Sequence, residues 1–67
     1  MSVLKVIEIM ANSPESWEDA AQKAVDEAAK SVKNIQSVWV KDQSCHVENG
    51  KIKQFRVNVK ITFTVEH

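Results

Sequence analysis

The dipeptide Asn49-Gly50 constrains the fold of this 67-residue chain more than any other feature. Both central residues of a type I′ turn have positive φ, a conformation that asparagine and glycine adopt readily. Runs rich in β-branched residues lie on either side of the dipeptide, at roughly 35–47 and 52–65. The sequence therefore predicts a long β-hairpin with a two-residue loop.

That loop also predicts the register of the hairpin, in which Val40 lies opposite Val59 and Trp39 lies opposite Lys60. Alternate side chains of a strand point to opposite faces of the sheet. The apolar face, predicted to be the core, carries Val38, Val40, Phe55, Val57, Val59, Ile61, Phe63 and Val65. The opposite face is predicted to carry Ser37, Trp39, Lys41, Gln43, Cys45, Arg56, Asn58, Lys60, Thr62 and Thr64.

The segment before the hairpin has the signals of one amphipathic helix. Ser13 is predicted to be its N-cap, with Pro14 at the first helical position. Asn34 can adopt the left-handed conformation that ends a helix. Apolar residues recur at helical spacing and form one stripe of Trp17, Ala20, Ala21, Ala24, Val25, Ala28 and Val32. Because the stripe is mostly alanine, the helix is predicted to lie close to a curved sheet.

A first strand is predicted at residues 3–10, "VLKVIEIM". Its side chains alternate between the helix side, with Val3, Ile7 and Ile9, and the outer side, with Leu4, Val6 and Met10. The predicted fold class is α+β, in the order β-α-β-β, with a three-stranded antiparallel sheet wrapped around one helix. Residues 1–67 are predicted to form a single domain.

The small size of the chain predicts that copies of it assemble. A domain of this length buries only about 60% of its unfolded surface, so it usually needs a disulfide, a metal or a partner subunit. One cysteine cannot form an internal disulfide, and the two histidines and one cysteine lack the spacing of a zinc site. The apolar outer face and the open strand edges favour assembly with further copies.

Charge and motifs exclude several other functions. Nine basic residues balance nine acidic ones, without the basic stripe expected of nucleic-acid or membrane-surface binding. The N-terminus is interrupted by Lys5 and Glu8, unlike a signal peptide or membrane span. The lone Cys45 favours a cytoplasmic location. Neither a catalytic triad pattern nor a glycine-rich phosphate loop is present, so an enzyme is not predicted.

The chain resembles the dodecins along essentially its whole length. The resemblance is carried by "KVIEI" in the first strand, "SPESWEDA" at the helix start, "HVENGKI" at the hairpin and "FRVNVKITF" in the last strand. It implies a homododecamer, a hollow shell of twelve copies. It also implies flavin ligands such as FMN, riboflavin or FAD, stacked in pairs between tryptophans of neighbouring subunits.

Two positions of the dodecin flavin site differ in this chain. Ser37 stands where the flavin-stacking tryptophan is expected, and Arg56 replaces a glutamine that hydrogen-bonds the flavin ring. Serine has no π-face, and arginine only donates hydrogen bonds. His46 matches a histidine often found near the hairpin of flavin-binding dodecins. The candidate ligand-binding residues are Ser37, Trp39, His46, Arg56 and Lys60.

The resemblance extends to a second branch, the calcium dodecins, which share the "MSV-KVI" opening, the "SP-SWE-AA" helix start and the arginine. It implies calcium as an alternative ligand but identifies no metal ligands in this chain. Glu15, Glu18 and Asp19 carry oxygen ligands suited to calcium. The favoured interpretation is that these side chains complement the helix dipole.

The roles of individual side chains stay open at this point. Trp39 is interpreted as a subunit-interface residue in preference to a displaced stacking platform. Arg56 suits either an anionic ligand or a carboxylate of a neighbouring subunit.

The predicted function is binding, storage or buffering of a small ligand, either a flavin or another flat anionic molecule. The alternative is a flavin-free shell that binds calcium or acts as a structural or adaptor oligomer.

Overall fold

The computed structural model describes residues 3–65. These residues form β1 (Val3–Ser13), α1 (Trp17–Ala28), β2 (Ile35–Glu48) and β3 (Lys51–Val65). β3 lies between β1 and β2 and is antiparallel to both. The predicted β-α-β-β fold is confirmed, with a first strand that continues beyond the predicted residues 3–10.

The core lies between α1 and the centre of the sheet. Ala20, Ala24 and Ala28 pack there against three fully buried residues of β3, which are Val57, Val59 and Ile61. Alanine side chains let the helix axis approach the sheet closely, and the branched side chains of β3 fill the space between the two layers. The predicted stripe packs against the core, although its last member, Val32, lies beyond the end of the helix. The predicted core face is confirmed for β3, whereas Val38 and Val40 of β2 are exposed because the helix does not cover them.

The helix begins three residues later than predicted, because Ser16 and not Ser13 is the N-cap. The Ser16 Oγ accepts a hydrogen bond of 2.9 Å from the backbone N–H of Asp19. Ser13 is fully buried at the end of β1, where its hydroxyl donates to Asp19 Oδ2 at 2.6 Å. The same hydroxyl accepts from the N–H of Glu15 at 3.0 Å. Ser13 therefore stabilises the β1–α1 connection and not the helix end itself.

The helix also ends earlier than predicted. Ala29 is its C-cap, and Asn34 lies five residues farther on. Asn34 does have the left-handed conformation, with φ of 62°. Its carbonyl accepts a 3.0 Å hydrogen bond from the N–H of Thr64, so this residue directs the chain into β2.

A β-bulge at Lys41 changes the faces of β2. The predicted pairs Trp39–Lys60 and Val40–Val59 are confirmed, but the next pair along the strand is Asp42–Asn58. Lys41 is thus an extra residue without a direct partner on β3, and such a residue reverses the alternation beyond it. The predicted outer position of Gln43 and Cys45 is therefore wrong, because both lie on the core side of the sheet, opposite Val57 and Phe55.

The protomer is elongated, with principal dimensions of 51 × 19 × 13 Å. Its radius of gyration is 13.7 Å, whereas a compact domain of this length has one of about 11 Å. The strands project beyond the helix, so apolar residues of the hairpin end, Val47 and Ile52, are more than half exposed. Among residues 3–65, no helix combines the length and the apolar character that crossing a bilayer requires.

Candidate functional site

The five candidate ligand-binding residues share one face of the sheet, which we call the outer face because α1 covers the other. Ser37 and Trp39 of β2 lie there opposite Thr62 and Lys60 of β3. Beyond the bulge, the outer-face pairs are Asp42–Asn58, Ser44–Arg56 and His46–Gln54. Strict alternation from Trp39 would place His46 on the core side, so the bulge at Lys41 is what brings it to the same face as Arg56.

Trp39 and Lys60 form a pair of an aromatic ring and a cation on this face. The Trp39 side chain is 63% exposed, and the Lys60 Nζ lies 5.3 Å from its ring centroid. This distance is within the range of a cation–π interaction. The ring is therefore held beside a positive charge while much of its surface stays open.

Arg56 is held by a hydrogen bond from its Nε to Asn12 Oδ1, 2.9 Å long. Asn12 lies directly opposite Arg56 on β1, and Ser44 lies opposite it on β2. A guanidinium group has five N–H donors, and this contact uses only one of them. Arg56 is thus oriented by the sheet and keeps donors for a ligand or a neighbouring subunit.

Ser37 is occupied by a contact within the protomer. Its hydroxyl shares a hydrogen bond with the hydroxyl of Thr62, the residue opposite it on β3. The position at which the resemblance implies a flavin-stacking tryptophan therefore contributes a small, already paired polar group here.

Lys41 reaches across the central strand to β1, where its Nζ lies 3.3 Å from Glu8 Oε2. The hydrogen bond and the positive charge of Lys41 hold the pKa of Glu8 below its usual range. The ion pairs within residues 3–65 involve Lys23, Lys30 and Lys41. Neither Lys60 nor Arg56 forms an ion pair within the described residues, although the charge of Lys60, which lies on β3 opposite Glu8, also contributes to the lowered pKa of Glu8.

Among the acidic residues at the helix start, Asp19 is paired within the protomer. Asp19 is bound by Lys23 at 2.7 Å and by the Ser13 hydroxyl. The Lys23 hydrogen bond, followed by that of Ser13, lowers the pKa of Asp19. Within residues 3–65, no three His, Cys, Asp or Glu side chains come together in an arrangement that could hold a metal. The same residues enclose no cavity, so the candidate site of a single protomer is an open surface.

Sequence reasoning missed the polar neighbours of the site, which are Asn12, Asp42 and Ser44. Asn12 lies beyond the predicted end of the first strand. Asp42 and Ser44 reach the outer face only through the bulge. One signal of a possible shift was present in the sequence. Residues 41–44 are all polar, so no apolar residue there indicates which side chains face the core.

The dodecin family model matches residues 3–66. The chain belongs to the dodecin family. This dodecin is 40% identical over 63 residues to the calcium dodecin of Mycobacterium tuberculosis, covering 94% of the chain and 89% of that relative. The predicted family, including the likeness to the calcium dodecins, is confirmed.

Solved structures of dodecins have the same fold. The crystal structure of the M. tuberculosis calcium dodecin, described as calcium-chelating, has a TM-score of 0.84 and 41% identity, covering 97% of this chain and 93% of that one. A variant of the Thermus thermophilus dodecin has a TM-score of 0.94 and 25% identity, with both chains covered completely. Dodecin family proteins bind or store ligands and are not enzymes.

Proposed function

We propose that this dodecin assembles into a homododecameric shell, with residues 1–67 of each copy forming one domain, and that the shell binds, stores or buffers a small ligand. One observation carries the proposal. The outer face exposes four large apolar side chains, Leu4, Val6, Met10 and Trp39, with between 56% and 63% of each accessible. Large apolar side chains that are exposed together on one face are typical of an interface.

The dimensions of the protomer support assembly. Its accessible surface is 4926 Å², whereas a compact monomer of 7.6 kDa has about 4,300 Å². Within residues 3–65, β1 and β2 each have one edge that pairs with no other strand. Open edges of this length promote pairing or packing with further chains.

Light scattering on a size-exclusion column tests the assembly. We expect the wild-type mass to be near twelve times that of one chain. Met10→Lys introduces a charge into the apolar outer face, and we expect smaller species. Gln22→Lys is the matched control, because it adds the same charge to an exposed position of α1. A wild-type protein that is monomeric and folded in dilute solution would contradict the proposal.

The outer face favours a flat anionic ligand. Trp39 offers a ring surface, while Lys60 and Arg56 supply positive charge and form no ion pair within residues 3–65. FMN and FAD combine an aromatic ring with negative charge, and riboflavin carries the same ring without the charge, so these three flavins are the probes of choice. Ser37 and Arg56 stand at the two positions where the resemblance implies flavin-ring recognition, and neither side chain offers an aromatic surface. We therefore assign stacking of the ligand ring to Trp39. Ring stacking should quench flavin fluorescence on titration, and unchanged fluorescence at high protein concentration would oppose this ligand class.

Calcium is the second candidate ligand, favoured by the 40% identity with the M. tuberculosis calcium dodecin. Because no suitable cluster of ligands exists within residues 3–65 of one protomer, a calcium site would combine oxygens of neighbouring copies. Isothermal titration of metal-free protein with calcium tests this, with magnesium as the control for non-specific charge binding. Heat of binding with calcium but not with magnesium would favour the alternative function, which is a flavin-free shell that binds calcium.

We further propose that the protein acts in the cytoplasm, without nucleic-acid or membrane partners and without catalysis. The balanced charge and the single cysteine support this proposal. Fractionation of cells, followed by detection of the protein in each fraction with an antibody, tests its location.

A further inference from the structure

We propose that residues 42–46 of β2, which we call the shifted segment, are held one residue out of register with both ends of the hairpin by the indole of Trp17. When the contact with Trp17 is lost, the segment slips by one residue and exchanges the side chains on its two faces. This inference concerns the hairpin itself and goes beyond the proposed function, since it depends on neither the ligand nor the assembly.

The pairing of β2 with β3 shows the shift. Val40 lies opposite Val59. Nearer the turn, Val47 lies opposite Ile52, which is the same register continued to the end of the hairpin. Between these two pairs, each residue of the shifted segment lies opposite a β3 residue one position farther from the turn than that register requires. The segment is therefore out of register with the pairs on both of its sides.

Two bulges accommodate the shift, one at each end of the segment. Lys41 is the extra residue on β2, and Lys53 is the extra residue on β3. Each bulge leaves a residue unpaired and disrupts the ladder locally, so a hairpin in one continuous register would have more complete backbone pairing. The turn at Asn49 and Gly50 favours that continuous register. Contacts outside the ladder must therefore compensate for the two bulges.

Trp17 of α1 makes such contacts with the centre of the segment. Its Nε1 donates a 3.1 Å hydrogen bond to the carbonyl of Ser44. Its ring packs edge-on against Phe55, with 5.2 Å between the ring centroids. Phe55 lies opposite Cys45, the one residue of the shifted segment that is partly buried. The helix side of the segment is therefore attached to α1 through a single indole.

The hydrogen bond from Trp17 is specific to the shifted register. Successive residues of a strand direct their carbonyl groups to alternate sides. A slip of one residue would therefore turn the Ser44 carbonyl away from Trp17 and break the bond. The same slip would move Cys45 from the helix side to the outer face, where it would lie opposite Gln54. Trp17 thus selects one of two registers of the segment.

Cross-strand disulfides report the register, because they form between residues that lie directly opposite each other on one face. His46 lies opposite Gln54 in the structure, whereas Cys45 would lie there after the slip. The shifted-register probe therefore combines His46→Cys, Gln54→Cys and Cys45→Ser. The slipped-register probe is Gln54→Cys alone, which keeps the native Cys45. Mild oxidation of the folded full-length protein, blocking of free thiols and intact-mass analysis measure the yield of the disulfide within one chain.

With Trp17 present, we expect the shifted-register probe to give a yield at least about fivefold higher than the slipped-register probe, the factor that one hydrogen bond contributes. Trp17→Phe keeps a ring against Phe55 but removes the donor, and it should reverse the order of the two yields. Phe55→Leu is the matched control, because it removes the ring contact and keeps the donor. It should retain the order seen with Trp17 and Phe55 both present.

Yields that do not change between the Trp17 and Trp17→Phe backgrounds would overturn the inference, because the bulges would then hold the register without the indole. A reversal caused by Phe55→Leu would overturn the role of the hydrogen bond and assign the register to ring packing. Should Trp17→Phe not fold, hydrogen exchange tests the unsubstituted protein. The Trp17 indole N–H and the hydrogen-bonded amides of residues 42–46 should exchange with the same free energy of opening, since the slip releases them together. An indole N–H that exchanges freely while those amides stay protected would refute the inference.

Discussion

Replacing Ser13 by alanine tests the network that joins β1 to α1. The Ser13 hydroxyl is fully buried, and it accepts from the backbone N–H groups of Glu15 at 3.0 Å and Ser16 at 3.4 Å. Removing an acceptor from partly buried donors costs about 1–3 kcal/mol. The second bond is long, so we expect Ser13→Ala to lower the free energy of unfolding by about 1–2 kcal/mol at pH 7.

This loss is a large part of the stability that a chain of this size can have, which is about 3–10 kcal/mol. It corresponds to a fall in Tm of roughly 5–15 °C. Urea denaturation followed by circular dichroism measures the difference directly. All variants must be compared at one protein concentration, because assembly makes apparent stability depend on concentration.

The pH dependence of the loss distinguishes Ser13 from an ordinary helix cap. Lys23 first, and then the Ser13 hydroxyl, lower the pKa of Asp19 in the folded protein. Stability from a lowered carboxyl pKa is present above the unfolded value, about 3.9, and is lost as the pH falls through the folded value. The cost of Ser13→Ala should therefore shrink below pH 4.

Ser16→Ala is the matched control. It removes the N-cap hydroxyl, which accepts from the backbone N–H of Asp19 and not from a titrating group. We expect a cost of about 1 kcal/mol that does not depend on pH in this way. A Ser13→Ala cost that stays constant from pH 7 to pH 2.5 would refute the role of the Ser13–Asp19 bond. A neutral effect of Ser16→Ala would refute the assignment of the N-cap.

Three further substitutions test the core, the turn and the contact between α1 and β2. Ile61→Ala should cost about 2–5 kcal/mol in urea denaturation, because the side chain is fully buried; a cost below 1 kcal/mol would contradict that burial. Gly50→Ala should cost about 1 kcal/mol through its φ of 75° alone, since the added methyl would meet no atom; Gly50→Asn is the control and should cost less. Trp17→Phe keeps a ring against Phe55 but removes the 3.1 Å bond from Nε1 to the Ser44 carbonyl, and thermal unfolding should show a loss of about 1 kcal/mol; an unchanged Tm would mean that this bond does not stabilise the fold.

Much of the fold could be predicted from short-range signals. Asn49 and Gly50 both have positive φ, of 52° and 75°, as the predicted turn requires. The register that follows from this turn pairs Val40 with Val59 as predicted. These features depend on the dihedral preferences of two residues and on a strong apolar alternation in β3, both of which are visible in the sequence.

The helix ends could not be predicted in the same way. Ser13 and Ser16 both precede acidic residues and both suit an N-cap. The choice depends on the end of β1, where Ser13 is drawn into the core and its hydroxyl is used by Asp19. The conformation of Asn34 was predicted correctly, but its position relative to the helix depends on a hydrogen bond to Thr64, thirty residues away in sequence.

The candidate site shows the same division. From the sequence alone came the family, the strand order and the exposed Trp39 beside Lys60. The sequence also showed Ser37 and Arg56 at two positions where the resemblance implies flavin-binding residues. Only the tertiary structure placed Ser44 opposite Arg56 and His46 on the same face of the sheet, through the bulge at Lys41. The reason is that an all-polar stretch loses no hydrophobic burial when it shifts by one residue, so the pairing there follows from the contacts of the folded sheet and not from the residue pattern.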